Sequence, residues 1–366
     1  MFWSICLIAA FLCSVIFAGV LIPQILLIAF RNSLFDVPDE RKIHRAAVPR
    51  LGGMAFAPVI LFTSALLLGA SLALGNKTYL VELLGEIEQV AFLICAVTML
   101  YLLGLADDLV GVKYRAKFIV QILCAIMFVA SGVYLKNFCG VAFCNEIHPA
   151  IGSLFTLLVI VFVINAINLI DGVDGLASGL SGVALLFYGI MFYMLGEYIY
   201  SVLSFATLGA LVQFFYYNVF GKAEKQQKIF MGDTGALTIG ILLSFLALKL
   251  CSHDRAEINN VNPLVMAAAP LILPCFDVVR VFLGRIRRGN NPFLPDKTHI
   301  HHKLMAMGLS TRLTMISIII ISILFTLLNI VLSPYLNANL LLLLDVVVWI
   351  VFNMWLTKSI AKRTAK

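Results

Sequence analysis

Long uncharged stretches dominate the chain and are separated by short polar segments. A helix that crosses a membrane needs about 20 mostly apolar residues, and each of these stretches approaches or exceeds that length. They therefore predict transmembrane helices. The stretches are Phe2–Phe30, Leu51–Asn76, Gln89–Ala106, Phe118–Leu135, Gly175–Gly196, Tyr198–Gly221 and Leu313–Ser333.

Further apolar segments end near Leu169, Leu248, Leu283 and Leu356, and they bring the predicted number of spans to eleven. The shortest is Thr234–Leu248, without which ten spans remain. The first span has no basic residue ahead of it, and its apolar part exceeds the length of about 7–15 residues that is usual in a signal peptide. We therefore expect it to remain as an anchor.

The composition supports a membrane protein. Hydrophobic residues make up 62% of the chain and charged residues 12%, whereas about a quarter of the residues of a soluble domain are charged. A water-soluble protein is therefore excluded. Since the sequence shows no internal repeat or low-complexity segment, we predict an all-α, polytopic membrane protein with residues 1–366 in a single domain.

The positions of the basic residues predict how the chain lies in the membrane. Cytoplasmic loops carry an excess of Lys and Arg. With the N-terminus outside, all but four of the 26 lysines and arginines fall on the cytoplasmic side, the exceptions being Lys77, Lys136, Lys249 and Arg255. We therefore expect the N-terminus outside and the C-terminus in the cytoplasm. The net charge of +7 then needs no nucleic acid, and it suits anionic lipids and phosphate ligands.

Three smaller features give separate expectations. The eight cysteines show no CxxC spacing of a metal site, but Cys139 and Cys144 share a loop predicted to be outside, where they are either disulfide-bonded or free. Asp277 and Arg280 lie one helical turn apart, and we interpret them as a structural pair. Asp345 lies near the outer end of the last span, and we interpret it as interfacial.

Five polar segments all fall on the predicted cytoplasmic side. Their convergence on one face is the main functional signal, because a channel or transporter would place polar groups through the depth of the membrane. The segments are Asp36–Gly53 (DVPDERKIHRAAVPRLGG), Gly104–Lys117 (GLADDLVGVKYRAK), Asn165–Gly179 (NAINLIDGVDGLASG), Phe230–Gly235 (FMGDTG) and Arg285–Leu304 (RIRRGNNPFLPDKTHIHHKL).

Amides and carboxylates end the apolar helix that precedes Gly172. Asn165, Asn168 and Asp171 recur every third residue, so they share one drifting stripe while the helix lasts. The glycine then allows the backbone to approach a ligand closely, and Asp171 and Asp174 can accept hydrogen bonds or help to hold a cation. The alternative is helix C-capping, with the polar groups packed against neighbouring helices.

Acidic residues also mark two other helix ends. Asp107 and Asp108 precede a basic stretch that includes Lys117. They are suited to binding a metal ion, contacting a phosphate or transferring a proton. Alternatively, they mark a helix boundary with compensating charges. Adjacent residues point about 100° apart on a helix, so we expect at most one of the two to face a given ligand atom. Asp233 begins another helix, where it binds Mg²⁺, caps the N-terminus, or does both.

The histidines of HIHH do not indicate a transition-metal site. His299, His301 and His302 are too closely spaced for all three to reach one ion readily, and their neighbours are cationic, Arg285 among them. Such a loop suits anionic oxygens, since Arg binds phosphate bidentately and His moves protons near neutral pH. The alternative is a basic loop at the membrane surface.

Taken together, the motifs resemble those of the polyprenyl-phosphate N-acetylhexosamine-1-phosphate transferase family, whose members join a UDP-linked amino sugar to a membrane lipid phosphate. ADD, NAINLIDGVDGL, FMGDTG and HIHH occur in the family's order over nearly the whole chain. HIHH and the insert FGKAEKQQK resemble the bacterial undecaprenyl-phosphate GlcNAc-1-phosphate transferases of the WecA type more than the muramoyl-pentapeptide branch. AVPRLGG also differs from the latter branch, which leaves the lipid-phosphate contact open between Lys42, His44 and Arg50.

The resemblance and the polar segments together give the candidate site residues. The metal ligands for Mg²⁺, or Mn²⁺ in its place, are Asp233 and Asn168. The catalytic candidates are Asp107, Asp108, His301 and His302. The substrate-binding candidates are Lys117, Asn165, Gly172, Asp174, Asn218, Phe230, Arg285 and His299.

The resemblance implies a phosphoglycosyl transfer from a UDP-amino sugar, foremost UDP-GlcNAc, to undecaprenyl phosphate. The products are the undecaprenyl-pyrophosphate-sugar and UMP. Since two anions must meet, a divalent ion and cationic side chains are needed to offset their repulsion. We expect direct attack by the lipid phosphate, which Asp107 or Asp108 orients or deprotonates; a covalent aspartyl-phosphate is the rival route. The alternative function is a transporter of a phosphorylated ligand.

The expected setting is the bacterial inner membrane, with the active site facing the cytoplasm. The reaction would be the first membrane step in the assembly of a cell-envelope glycan, such as O-antigen or another polysaccharide. The expected partners are the two substrates and the lipid bilayer, without nucleic acid. Whether the chain forms a homodimer is left open.

Overall fold

The computed structural model describes residues 2–35, 48–144, 146–253, 260–289 and 298–364. Within these ranges the fold is built from α-helices, and the β-type pairing is an isolated bridge between Asn137 and Glu146. The helices are α1 (Phe2–Arg31), α2 (Phe56–Ala73), α3 (Thr78–Gly85), α4 (Ile87–Val110), α5 (Tyr114–Ala130), α6 (Pro149–Ile170), α7 (Leu176–Leu195), α8 (Tyr198–Phe215), α9 (Gly232–Leu250), α10 (Pro263–Ala268), α11 (Ile272–Arg287), α12 (Ile300–Ala306), α13 (Thr311–Leu332) and α14 (Ala338–Thr364).

Among the described residues, ten helical segments are long and apolar enough to cross a membrane. This confirms the predicted all-α, polytopic fold. Helices α10 and α11 together make one of the ten, Pro263–Arg287. Helix α5 is not among them because it has only 17 residues, yet it packs between α4 and α6. It carries Lys117 in its first turn, and the loop after it is bonded to α6, where Leu135 N–H donates to Thr156 Oγ1 at 2.9 Å. Helix α5 therefore lies alongside its two neighbours over its length.

Helix α9 lies at the centre of the bundle. Its apolar window is 89% buried, against 33% for α1, and it packs against α4, α6, α7 and α10. Glycines allow this close approach, as small residues do between membrane helices. A Cβ added at Gly104 of α4 would lie 2.4 Å from Thr234 Cα, and one added at Gly240 would lie 2.8 Å from Ile164 Cα. The backbones of α4, α6 and α9 are therefore in direct contact.

A buried lysine anchors the C-terminal end of α9. Lys249 Nζ lies 3.2 Å from Glu86 Oε2, just before α4, and 3.3 Å from Glu197 Oε1, just before α8. It also lies 5.1 Å from the ring centre of Tyr200, whose hydroxyl donates to Glu86 at 2.9 Å. Because a buried charge is costly unless it is paired, these contacts fix the end of α9 to α4 and α8.

Two expectations from the sequence concern this end of the bundle. Asp345 is 2% exposed and accepts a hydrogen bond from Asn329 Nδ2 of α13 at 3.0 Å, so α14 turns this residue towards α13. Its position at the membrane interface stays a prediction. Cys139 and Cys144 are free thiols.

We expect Gly104→Ala to destabilise the protein, because the added methyl group overlaps the backbone of α9 at Thr234. Overpacking of this kind costs about 1–3 kcal/mol. Gly69→Ala in α2 is the matched control, since nothing lies within 4 Å of a Cβ at that position. The measurement is the thermal unfolding midpoint of each variant in detergent. Equal midpoints for the two variants would contradict a tight contact between α4 and α9.

Candidate active site

The N-terminus of α9 is capped by a carboxylate from another helix. Asp108, near the end of α4, accepts the N–H of Asp233 on Oδ1 at 2.8 Å. Its Oδ2 accepts the N–H of Thr234 at 2.9 Å and the hydroxyl of Thr234 at 2.6 Å. The first N–H groups of a helix have no partner within it, and Asp108 supplies one. The alternative in which Asp233 caps this helix is therefore wrong, and the side chain of Asp233 is left for other contacts.

The side chain of Asp233 joins a cluster with residues from α4, α5 and α6. Lys117 Nζ lies 2.8 Å from Asp233 Oδ2 and 2.5 Å from Asp107 Oδ2. Asn168 Nδ2 donates to Asp233 Oδ1. The side chains of Lys117 and Asp233 are about a quarter exposed, so the cluster opens to solvent at this end of the bundle, which we call the polar end. Two carboxylates thus converge on one ammonium group.

Backbone hydrogen bonds attach the segment AVPRLGG to FMGDTG. The N–H of Phe230 donates to Pro49 O at 2.8 Å, and the N–H groups of Gly52 and Gly53 donate to Phe230 O and Met231 O at 2.9 Å. These bonds bring Arg50 to the polar end. Two other candidates for the lipid-phosphate contact, Lys42 and His44, lie outside the described residues.

A second polar group lies beside the first and combines the loop after α6 with the end of α8. Asn218, in a π-helical turn (Tyr216–Phe220), accepts the N–H of Gly175 at 2.6 Å and donates to Ile229 O at 2.8 Å. Asp174 is paired with Lys228 at 2.6 Å. A cavity of about 350 Å³ opens here, and its lining includes Asp174, Lys228, Lys222 and Arg312.

The HIHH histidines reach the polar end through α12. His301 is 2% exposed, and its Nε2 would lie 2.6 Å from a Cβ added at Gly172. Burial, reinforced by the neighbouring His302 and His299, lowers the pKa of His301 to about 3, so its imidazole is neutral at physiological pH. The ring of His302 lies 4.2 Å from that of His301 and is partly exposed. His302 is therefore the more accessible of the two.

Contacts from α11 and α14 hold α12 in place. Asp277 of α11 pairs with Arg280 at 2.7 Å, as expected, and also contacts His299 Nδ1 at 2.8 Å. At the other end of α12, Arg363 of α14 donates to Met307 O. Arg285 is buried on α11, 6% exposed.

Not every candidate from the sequence joins the cluster. Asn165 Nδ2 donates to Gln121 Oε1 of α5 at 2.8 Å and to Val161 O at 2.7 Å, so in the structure this residue links two helices. Asp171, by contrast, lies near Asp233 and Asp108 just after α6, and desolvation of its carboxyl, with Asp174 nearby, raises its pKa to about 7. In the part of the chain that the structure describes, no group of three or more His, Cys, Asp and Glu side chains is arranged to hold a metal ion.

Sequence reasoning missed the contacts that Lys228, Thr234 and Asp277 make in and around the site. Lys228 could have been found from its place in the basic insert before FMGDTG. Asp277 was recognised as half of an ion pair, but a sequence does not reveal that a carboxylate on α11 faces a histidine 22 residues later. Thr234 carried no separate signal, because its hydroxyl acts only through Asp108.

Gly172→Ala should displace His301, because the new methyl group would lie 2.6 Å from Nε2 of the buried ring. A misplaced group at an active site costs about 10- to 100-fold in turnover. Gly284→Ala is the control, since its Cβ would meet no atom closer than 3.9 Å. Turnover of the purified variants is the measurement. In a His301→Ala background the Gly172→Ala loss should largely vanish; an undiminished loss there would exclude His301 as the group displaced.

Comparison with known proteins finds relatives over most of the chain. A family model described as "Glycosyl transferase family 4" matches residues 90–251. A "Probable undecaprenyl-phosphate N-acetylglucosaminyl 1-phosphate transferase" of Bacillus subtilis (strain 168) is 32% identical over 331 residues, which cover 89% of this chain and 85% of the relative. An "Undecaprenyl-phosphate alpha-N-acetylglucosaminyl 1-phosphate transferase" of Haemophilus influenzae is 30% identical and covers 84% of this chain and 82% of the relative. Its namesake of Yersinia pestis is 28% identical, with 83% and 78% covered.

These relatives match the chain over most of its length, and the matched family region includes Asp107, Asp108, Lys117, Asn168 and Asp233. The chain belongs to glycosyl transferase family 4.

Proposed function

We propose that the chain transfers GlcNAc-1-phosphate from UDP-GlcNAc to undecaprenyl phosphate. The names of the relatives support this reaction. The observation that carries it is the cluster of Asp107, Lys117, Asn168 and Asp233 at one end of a membrane bundle. A site at the end of the bundle is accessible both to a lipid head group at the membrane surface and to a water-soluble nucleotide. The relatives named above are transferases, and no observation favours a transporter.

In the proposed reaction, an oxygen of the lipid phosphate forms a bond to the β-phosphorus of UDP-GlcNAc. The bond from that phosphorus to the bridging oxygen breaks, and UMP leaves with the electron pair. Because both reactants are anions, cationic groups must offset their repulsion. Lys117 is partly exposed within the cluster, and Arg50 lies on the segment bonded to FMGDTG.

We infer that Asp233 and Asn168 hold a divalent ion, Mg²⁺ or Mn²⁺. Carboxylate and amide oxygens are the donors that these ions prefer, and Mg²⁺ usually takes one or two carboxylates with substrate phosphates and water, so a cage of protein ligands is not required. Asp107 and Asp233 already share one cation, the ammonium of Lys117. When bound, Mg²⁺ supplies charge that stabilises the transferring phosphoryl group.

The two adjacent aspartates have different proposed roles. Both oxygens of Asp108 are bonded to the start of α9, which makes it a positioning residue for Asp233. Asp107 has a lysine side chain as one partner, and we assign it to orienting the attacking phosphate. Since a phosphate monoester has a second pKa of about 6, much of the nucleophile is already a dianion at neutral pH. Direct transfer is therefore proposed over a covalent aspartyl-phosphate on Asp107.

The cavity beside Asp174 is proposed to receive the nucleotide. Asp174 lines this cavity, and Gly172 and Phe230 each stand two residues along the chain from a lining residue. Both ends of the Asn218 amide are bonded to the protein. Asn218 therefore shapes this pocket by holding Gly175 and Ile229 in place. We further propose that the polar end faces the cytoplasm, because the Lys and Arg distribution favours that orientation and UDP-sugars are found on that side.

The purified protein should release UMP from UDP-GlcNAc only when undecaprenyl phosphate and Mg²⁺ are both present, and chelation with EDTA should stop the reaction reversibly. Asp233→Asn removes the proposed metal carboxylate, so turnover should fall by at least about 100-fold. Glu88→Gln, an exposed acid at the opposite end of α4, is the control. Release of UMP without the lipid would refute transfer to it, and full turnover by Asp233→Asn would remove the metal assignment.

Asp107→Asn and Asp108→Asn should separate chemistry from structure. The amide of Asp108→Asn turns an N–H₂ group towards the N–H groups of α9, and an unsatisfied buried donor costs about 1–3 kcal/mol. That variant should lose thermal stability together with activity, whereas Asp107→Asn should lose turnover with a nearly unchanged melting midpoint. Both quantities are measured on each purified variant. If Asp108→Asn lost turnover at unchanged stability and Asp107→Asn lost none, the two roles would have to be exchanged.

A further inference from the structure

Asp277 is a fully buried carboxylate that connects α11 to the histidine segment. It is 0% exposed. Its Oδ1 accepts from Arg280 Nη2 at 2.7 Å and from the N–H of Ile300 at 3.0 Å, and its Oδ2 lies 2.8 Å from His299 Nδ1. One side chain thus contacts both the first histidine of HIHH and the first turn of α12.

These contacts determine where His299 carries its proton. A carboxylate accepts hydrogen bonds and donates none, so the proton of the bond to Asp277 belongs to Nδ1 of His299. In the neutral ring, Nε2 is then an acceptor. Carboxylates that bind the second nitrogen of a functional histidine fix its tautomer and its orientation in this way.

The ring of His299 is followed in space by the rings of the other two histidines. The rings of His299 and His301 are parallel, with 4° between their planes and 5.8 Å between their centres, and the ring of His302 follows 4.2 Å from His301. Helix α12 has only 7 residues, too few to hold its own direction without outside contacts. Its N-terminus is held by Asp277.

A simple ion pair with Arg280 would not need this arrangement. Arg280 Nη2 itself also donates to Thr298 O at 2.6 Å, directly before His299. Asp277 and Arg280 therefore brace the same short segment from the same helix. Their common target is the stretch that leads into the histidines.

We propose that Asp277 is a positioning residue for the transfer reaction: it fixes His299 with its proton on Nδ1, sets the start of α12, and so orients His301 and His302 towards the transferring phosphates. This inference rests on the proposed function. Asp277 acts through His299 and α12 and does not itself contact a substrate.

The test is Asp277→Asn, which preserves the size of the side chain but can turn an N–H₂ donor towards His299 and thereby move the ring proton to Nε2. We expect kcat for GlcNAc-1-phosphate transfer to fall by about 10- to 100-fold, as when the outer partner of a functional histidine is removed, while the KM for undecaprenyl phosphate changes little. In protein labelled with ¹⁵N-histidine, the ring signal assigned through His299→Gln should report a protonated Nδ1 in the wild type and an unprotonated Nδ1 in Asp277→Asn.

Asp345→Asn is the matched control, because it makes the same substitution at another buried aspartate, bonded to Asn329 and not to the histidine segment. Its kcat should stay within about twofold of the wild type. A larger loss in Asp277→Asn is then not a general effect of replacing a buried aspartate by asparagine. In a His299→Gln background, Asp277→Asn should add little further loss, since the two residues act as a unit.

Wild-type kcat in Asp277→Asn, or losses that multiply in the double variant, would overturn the inference. Should Asp277→Asn fail to fold, His299→Gln retains the contacts of Asp277 with Arg280 and Ile300, and it must then lose kcat by a similar factor; wild-type kcat in that variant would also overturn the inference. If the wild-type protein released no UMP, the proposed function itself would fail, and that outcome is distinct from both.

Discussion

The polar N-terminus of α9 lies inside a bundle of membrane helices, where water cannot reach all of its N–H groups. An unpaired backbone group in such surroundings is costly, so membrane proteins pair them internally. Asp108 does this from α4, and the same carboxylate determines where the next residue, Asp233, holds its own side chain. The interaction that stabilises the centre of the fold therefore also builds the site, because it releases Asp233 from capping and turns it towards Lys117 and Asn168.

The spans and the convergence of polar segments could be predicted because hydrocarbon restricts both helix length and polar content. The partners of single residues could not. Asp107 and Asp108 are adjacent, so they point in different directions on α4; the sequence indicates this divergence but not that one of them caps α9. Asn165 shares a stripe with Asn168 and yet bonds to Gln121, and Asp345 faces α13. Each of these outcomes depends on which helix lies alongside, and that is a property of the packed bundle.

The histidine-bearing helix α12 obtains its position from elements far away in the chain. Asp277 on α11 holds its first turn, Arg363 on α14 binds the carbonyl of Met307 after its last turn, and Lys303 reaches Thr357 of α14 at 3.1 Å. The last span of the protein therefore supports the active site even though it contributes no group to it. A change at the C-terminal end of α14 can alter the histidines without touching a substrate.

The burial of α9 has a consequence for how the protein is made. Its mean hydropathy is 1.5, against 2.9 for α1, and it ends in a lysine that is paired within the protein. Such a helix partitions into lipid less favourably than α1 does. Three of the helices that surround it, α4, α6 and α7, come earlier in the chain, so the ribosome has already delivered them when α9 leaves the tunnel. Synthesis order thus supplies α9 with a protein environment at the moment of its insertion, and a permuted gene that began with α9 would present it to bare lipid.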